Sequence, residues 1–146
     1  MKVLAFVKNL ISPSPESIAA NIASRNRARD DNFWMFVNET GWNVLKKGQS
    51  HKPNNTVVIG IALWSAPDVK GLKHLAQRLK PAYGNVYIFS IDDVTTIEEA
   101  RQFMPGTPPF TQTPVLAEYR DGKLENFLQG RATLDWMNRA NEDQSV

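Results

Sequence analysis

In this 146-residue chain the side chains that could do chemistry are Ser65 with Asp68 three residues on, the histidines His51 and His74, and the adjacent acids Asp92 and Asp93. A serine hydroxyl becomes a nucleophile only when a partnered base takes its proton, and neither histidine is near Ser65 in sequence. Ser65 and Asp68 also have a structural use: a serine at a helix cap and an aspartate in the first turn satisfy helix amides and suit the dipole. The histidines form no pair at ligand spacing. With 0 cysteines there is no zinc-thiolate centre, iron-sulfur ligand set, thiolate nucleophile or disulfide. Asp92 and Asp93 could bind a cation, but loop acids near a helix start need no such explanation. The expectation is a protein with no metal, no cofactor and no catalytic residue.

The remaining composition excludes little else. Hydrophobic residues make up 42% and charged residues 22%, the balance of an ordinary globular domain, and the net charge is only +2. Arg25, Arg27 and Arg29 give the first third a mild basic bias, but Asp30 and Asp31 follow at once, so they read as a solvated helix face or loop, with no nucleic-acid partner. The apolar run Val3 to Val7 ends at Lys8, well short of a signal-peptide core. No other run approaches the roughly 20 apolar residues of a membrane span. A cytoplasmic protein without a membrane partner is the expectation.

Several elements must position these groups. Val3 to Val7 suits a first strand. Ser14, or alternatively Ser17, can cap a helix opened by Pro15 and Glu16, and the apolar stripe Phe33, Phe36, Val37, Gly41 and Val44 closes at Lys46, Lys47 and Gly48. Residues 14–48 are therefore one bent helix or two. Thr56 to Trp64, β-branched and without alternation, reads as the central parallel strand. A helix from Ser65 to about Leu79 follows, then a strand from Asn85 to Ile91, then a short helix opened by Thr95/Thr96 with Glu98/Glu99. Beyond the proline-rich loop after Met104, two strands flank Asp121-Gly122, the signature of a type I′ hairpin, and Gly130 precedes a last helix carrying Leu134, Met137 and Ala140. Residues 141–146 read as a frayed tail. This order predicts one α/β domain over residues 1–146, with helices on both faces of a mixed sheet, parallel strands at its core and an antiparallel C-terminal hairpin. An extended helical segment occupies about 10–48.

That order, βαβαβαββα, resembles the thioredoxin fold, and the likeness spans essentially the whole chain if Val3 to Val7 is the first strand. Trp64 and Pro67 stand in the place of the family's Trp-Cys-Gly-Pro-Cys segment, Thr113-Pro114 where the family has its cis-proline, Arg120-Asp121-Gly122-Lys123 at the hairpin, and Gly130 before the final helix. The departures matter for function. Ser65 replaces the first cysteine, Asp68 the second, and Ile59 falls where many members keep a buried acid, so this is a redox-inactive version. The resemblance implies that Trp64, Ser65, Ala66, Pro67, Asp68, Thr113 and Pro114 form a surface that receives an extended peptide by backbone hydrogen bonds.

The expected function is thus that of a protein-binding adaptor, assembly factor or chaperone-like module. The alternative is a glutathione- or thiol-binding protein or transferase that uses Ser65 at the helix N-terminus, although the chain has no room for the helical second domain of glutathione transferases. Two further surfaces stay open. The loop carrying Pro108, Pro109 and Phe110 either presents Phe110 to a partner or tucks it into the core. Trp34, Phe36 and Trp42 extend the helical stripe to a second face, which is covered either by residues 10–30 or by a second subunit or another protein, with a homo-oligomer through residues 33–45 as one form.

Overall fold

The computed structural model describes residues 14–49, 51–78 and 85–139. The predicted strand Val3 to Val7 and the tail from Asn141 lie outside them. Helix α1 runs Pro15–Thr40, capped by Ser14, whose hydroxyl accepts from the Ser17 amide at 3.1 Å. It is one helix, and it ends at Gly41, seven residues before the predicted stop at Gly48. Gly41 takes the left-handed conformation (φ 78°) and donates to the Asn38 carbonyl, while the Thr40 hydroxyl donates to the Val37 carbonyl at 2.6 Å and accepts from the Trp42 amide at 3.1 Å. These bonds satisfy the frayed end, and the chain turns into a short edge strand, β1 (Asn43–Val44).

Among the described residues five strands form one mixed sheet. They are β1, β2 (Thr56–Ile61), β3 (Asn85–Ser90), β4 (Val115–Arg120) and β5 (Lys123–Gln129), in the order β1-β3-β2-β4-β5. Strands β1, β3 and β2 are parallel; β4 pairs antiparallel with β2 and with β5. The central β2 is buried at every position, as its unbroken apolar run requires. The described structure departs from the prediction just after α1: Val44, placed in the helix by its spacing, lies in a short strand that pairs with β3.

Alternate residues of the strands feed two cores. On one face Val57, Ile59 and Ile61 meet Phe33 and Val37 of α1, Leu72 and Leu75 of α2 (Ala66–Arg78), and Met137 of α4 (Arg131–Arg139). Gly71 lets α2 approach α4 closely, since a Cβ there would lie 2.9 Å from the Met137 sulfur. On the other face Val58, Phe89, Val115 and Ala117 meet Ala100 of the short α3 (Ile97–Arg101) together with Phe103, Met104 and Phe110. Asp121 and Gly122 both have positive φ, 53° and 79°, as a type I′ turn demands.

Helix α1 belongs to the domain only at its C-terminal end. Its last turns bury Phe33 and Val37, whereas residues 15–28 are exposed throughout, with Ile18 and Ile22 in solvent. No described helix is long and apolar enough to cross a membrane.

Candidate functional site

The chain leaving β2 at Ile61 must turn sharply to enter α2. The Ser65 amide donates to the Ala62 carbonyl at 3.0 Å, and Val69 returns a helical bond to the Ser65 carbonyl at 3.2 Å. Asp68 closes this turn from inside. One carboxylate oxygen accepts from the Ala62 amide at 3.1 Å, the other from the Ser65 hydroxyl at 3.0 Å, and the residue is only 2% exposed. The two side chains expected to bind helix amides instead bind each other and the end of the preceding strand. A buried carboxylate with both oxygens occupied is satisfied, and the Ser65 hydrogen is committed to it. Trp64, by contrast, is 66% exposed, and Ala66 and Pro67 beside it also face solvent.

The second half of the surface comes from the loop before β4. The β2–β4 register runs out to Gly60 opposite Val115, so the segments after β2 and before β4 leave the sheet side by side. The Thr113–Pro114 peptide is cis. Pro114 is buried, Thr113 half-buried, and the Pro114 carbonyl accepts from the Gly130 amide at 2.8 Å. Two residues missed by sequence reasoning hold this loop. Gln129 accepts from the Thr111 amide at 3.1 Å, and Gln112 lies so close over Gly130 that a Cβ there would stand 3.1 Å from the Gln112 Cβ. Only the glycine hinted at this contact; nothing in the spacing of the glutamines marks it.

The other candidate groups lie apart from this surface. His74 Nδ1 sits 3.3 Å from Asn138 Oδ1, and His51 packs against Tyr87 with ring centroids 4.3 Å apart and the rings tilted by 46°, burial pulling its pKa down. Neither ring activates Ser65. Among the described residues no cluster of three or more His, Asp or Glu could hold a metal.

Phe110 is 2% exposed and packs 6.4 Å from Phe127 between ring centroids, so it is tucked into the core; Pro108 and Pro109 beside it are exposed. The loop is anchored by Arg101 Nε donating to the Thr107 carbonyl at 2.8 Å and by the Tyr119 hydroxyl donating to the Pro105 carbonyl at 2.7 Å. Burial pushes the Tyr119 phenol far above its usual pKa, so it remains a donor.

Trp34, Phe36 and Trp42 are half-buried against the α1 core. Phe33 meets Trp34 edge-on at 4.8 Å, Phe36 meets Trp42 at 6.5 Å, and the Lys73 ammonium stands 5.8 Å above the Phe36 ring. The described part of residues 10–30 is exposed up to residue 28; the Phe36 ring is covered instead by Lys73 of α2 and by Trp42.

No protein-family model matches the chain, and no curated protein does. Among solved structures it is similar to one reported for the thiol-resolving mechanism of yeast mitochondrial 1-Cys peroxiredoxin through the glutathione and thioredoxin systems. The identity is 18%, the TM-score 0.51, and the match covers 71% of this chain and 96% of the other. It is also similar to oxidized mitochondrial thioredoxin 3 from Saccharomyces cerevisiae, at 20% identity and TM-score 0.46, covering 71% and 96%. The fold is therefore thioredoxin-like. With no cysteine at the turn between β2 and α2 or anywhere else, the chain is a redox-inactive version of that fold, incapable of disulfide exchange.

Proposed function

We propose that this chain is a non-catalytic binding protein, an adaptor, assembly factor or chaperone-like module, whose partner is another protein presenting an extended segment. The observation that carries this reading is Trp64, a large indole 66% exposed on a turn whose polar side chains are sealed against one another. Exposed tryptophans at well-anchored positions are typical binding anchors. Thr113, beside Pro114, offers the backbone to which an extended peptide can add as a strand, and the half-buried Thr113 and exposed Ala66 leave its approach open. The thiol-ligand alternative needs the Ser65 hydroxyl as a donor, and Asp68 already takes that hydrogen; a calorimetric titration with millimolar glutathione is expected to give no heat.

The test is selection of binders from a library of unstructured peptides, followed by amide-shift mapping. Shifts are expected at residues 62–68 and 112–114. Trp64→Ala and Ala66→Glu, both at exposed positions, should each weaken the selected peptide by about tenfold or more, roughly 1.4 kcal/mol. Binding that is indifferent to both substitutions would remove the site from this surface.

A further inference from the structure

A second site stands apart from the Trp64 surface, at the carboxyl ends of the adjacent parallel strands β1 and β3. There a cleft of about 680 Å³ is lined by Trp34, Asn38, Val44, Lys46, Lys47 and Asp93. Its volume lies in the range of small-molecule sites, about 300–1,000 Å³, and the crevice outside the carboxyl ends of strands is where open α/β sheets hold ligands.

The polar groups of this cleft have capacity to spare. Among the described residues no hydrogen bond or ion pair engages the Asn38 amide, the Lys46 ammonium or the Asp93 carboxylate, and Lys47 makes only a long 3.9 Å contact with Glu99. The charges lining the cleft are mixed. Lys46 and Lys47 supply two cations directly after β1. Asp93, after β3, supplies the acid, its pKa raised by burial and by Asp92 and Asp30, against an opposing pull from Lys46. A plain polyanion meets Asp93, and a plain cation meets the lysines; a ligand with an anion at one end and a hydrogen-bond donor at the other satisfies both. The Trp34 indole also lines the cleft, edge-on to Phe33 at an interplanar angle of 73°, with Asn38 one helical turn further along the same face. An aromatic wall beside an amide suits a flat heterocycle with a polar edge.

We propose that this cleft binds a nucleoside monophosphate whose base carries an exocyclic amine, with the phosphate at Lys46 and Lys47, the base against Trp34, and the amine donating to Asp93. Two consecutive lysines match a phosphate dianion as point charges. Lys46, Lys47 and Asp93 are all exposed, so they can be changed without disturbing the core.

The experiment is calorimetric titration of the full chain with adenosine monophosphate, inosine monophosphate and inorganic phosphate in turn. Adenosine monophosphate is expected to bind saturably below millimolar concentration, and the other two about tenfold more weakly, inosine monophosphate for want of the amine that donates to Asp93 and inorganic phosphate for want of the ring contact as well. The Lys46→Gln/Lys47→Gln double variant should lose about tenfold in affinity, and Asp93→Asn should erase the preference over inosine monophosphate. The proposal is overturned by absence of saturable binding at millimolar adenosine monophosphate, by binding no tighter than that of inosine monophosphate or inorganic phosphate, or by affinity unchanged in the double variant. Peptide binding at Trp64 is independent of every one of these outcomes.

Discussion

At the carboxyl end of β2 the polar side chains are closed on one another, while at the carboxyl ends of β1 and β3 they are open. Asp68 spends both oxygens on Ala62 and Ser65 and lies 2% exposed; Asp93, after the neighbouring strand, has no such partner among the described residues and faces a cleft. The difference separates two uses of the same acid. Where a carboxylate is satisfied internally it holds a turn in shape, and what remains for a partner is the exposed indole and the backbone beside it. Where it is left unsatisfied beside cations and an aromatic ring, it retains the capacity to recognise a small dipolar molecule.

The largest perturbation breaks both ends together. Gly60 lies opposite Phe89 in the β2–β3 pairing, and any Cβ at Gly60 would run into the Phe89 ring. Gly60→Val should therefore cost about 3 kcal/mol in urea denaturation by overpacking. Next, Asp68→Ala leaves the buried Ala62 amide without its acceptor and should cost about 2 kcal/mol, whereas Asp93→Ala should stay within about 0.5 kcal/mol of the parent or be slightly stabilising. Equal costs for the two aspartates would erase the contrast between the ends. Trp64→Ala should also change stability by less than about 0.5 kcal/mol; a larger loss would make Trp64 a structural residue.

The smallest effect concerns pH. His51 packs on Tyr87 with its Nε2 buried and without a hydrogen-bond partner, and burial lowers its pKa from 6.5. The unfolded chain then binds a proton that the folded chain resists, so stability falls as pH drops through about 6.5 and levels off below the folded-state pKa. His51→Gln should flatten that slope in thermal melts followed from pH 7.5 to pH 5, and a slope identical to the parent's would assign it to other groups.

Much of this architecture is legible in the sequence because local rules and packing agree there. The β-branched run of β2, the Ser14 cap, the Thr96 cap and the Asp121-Gly122 turn each obey one strong local preference that the fold does not override. The end of α1 is not legible in the spacing because Val44 continues the helical period; the left-handed Gly41 and the Thr40 hydroxyl decide otherwise, and both signals are short-range and ambiguous beside Gly48. At the Trp64 surface the residue types were legible, but the direction of the Ser65–Asp68 hydrogen bond depends on burial that no spacing reports. Phe110 likewise reads as surface or core until its contact with Phe127 decides it. The Lys46, Lys47 and Asp93 cleft was invisible because it joins positions far apart in sequence through a parallel pairing of only two residues.

The central claim is that the surface after β2 binds an extended segment of another protein. Its most direct test is amide-shift mapping of a selected unstructured peptide on the parent chain, repeated with Trp64→Ala. Shifts concentrated at residues 62–68 and 112–114, lost in the variant while the fold persists, are the predicted result. Shifts elsewhere, or undiminished affinity in the variant, would contradict it.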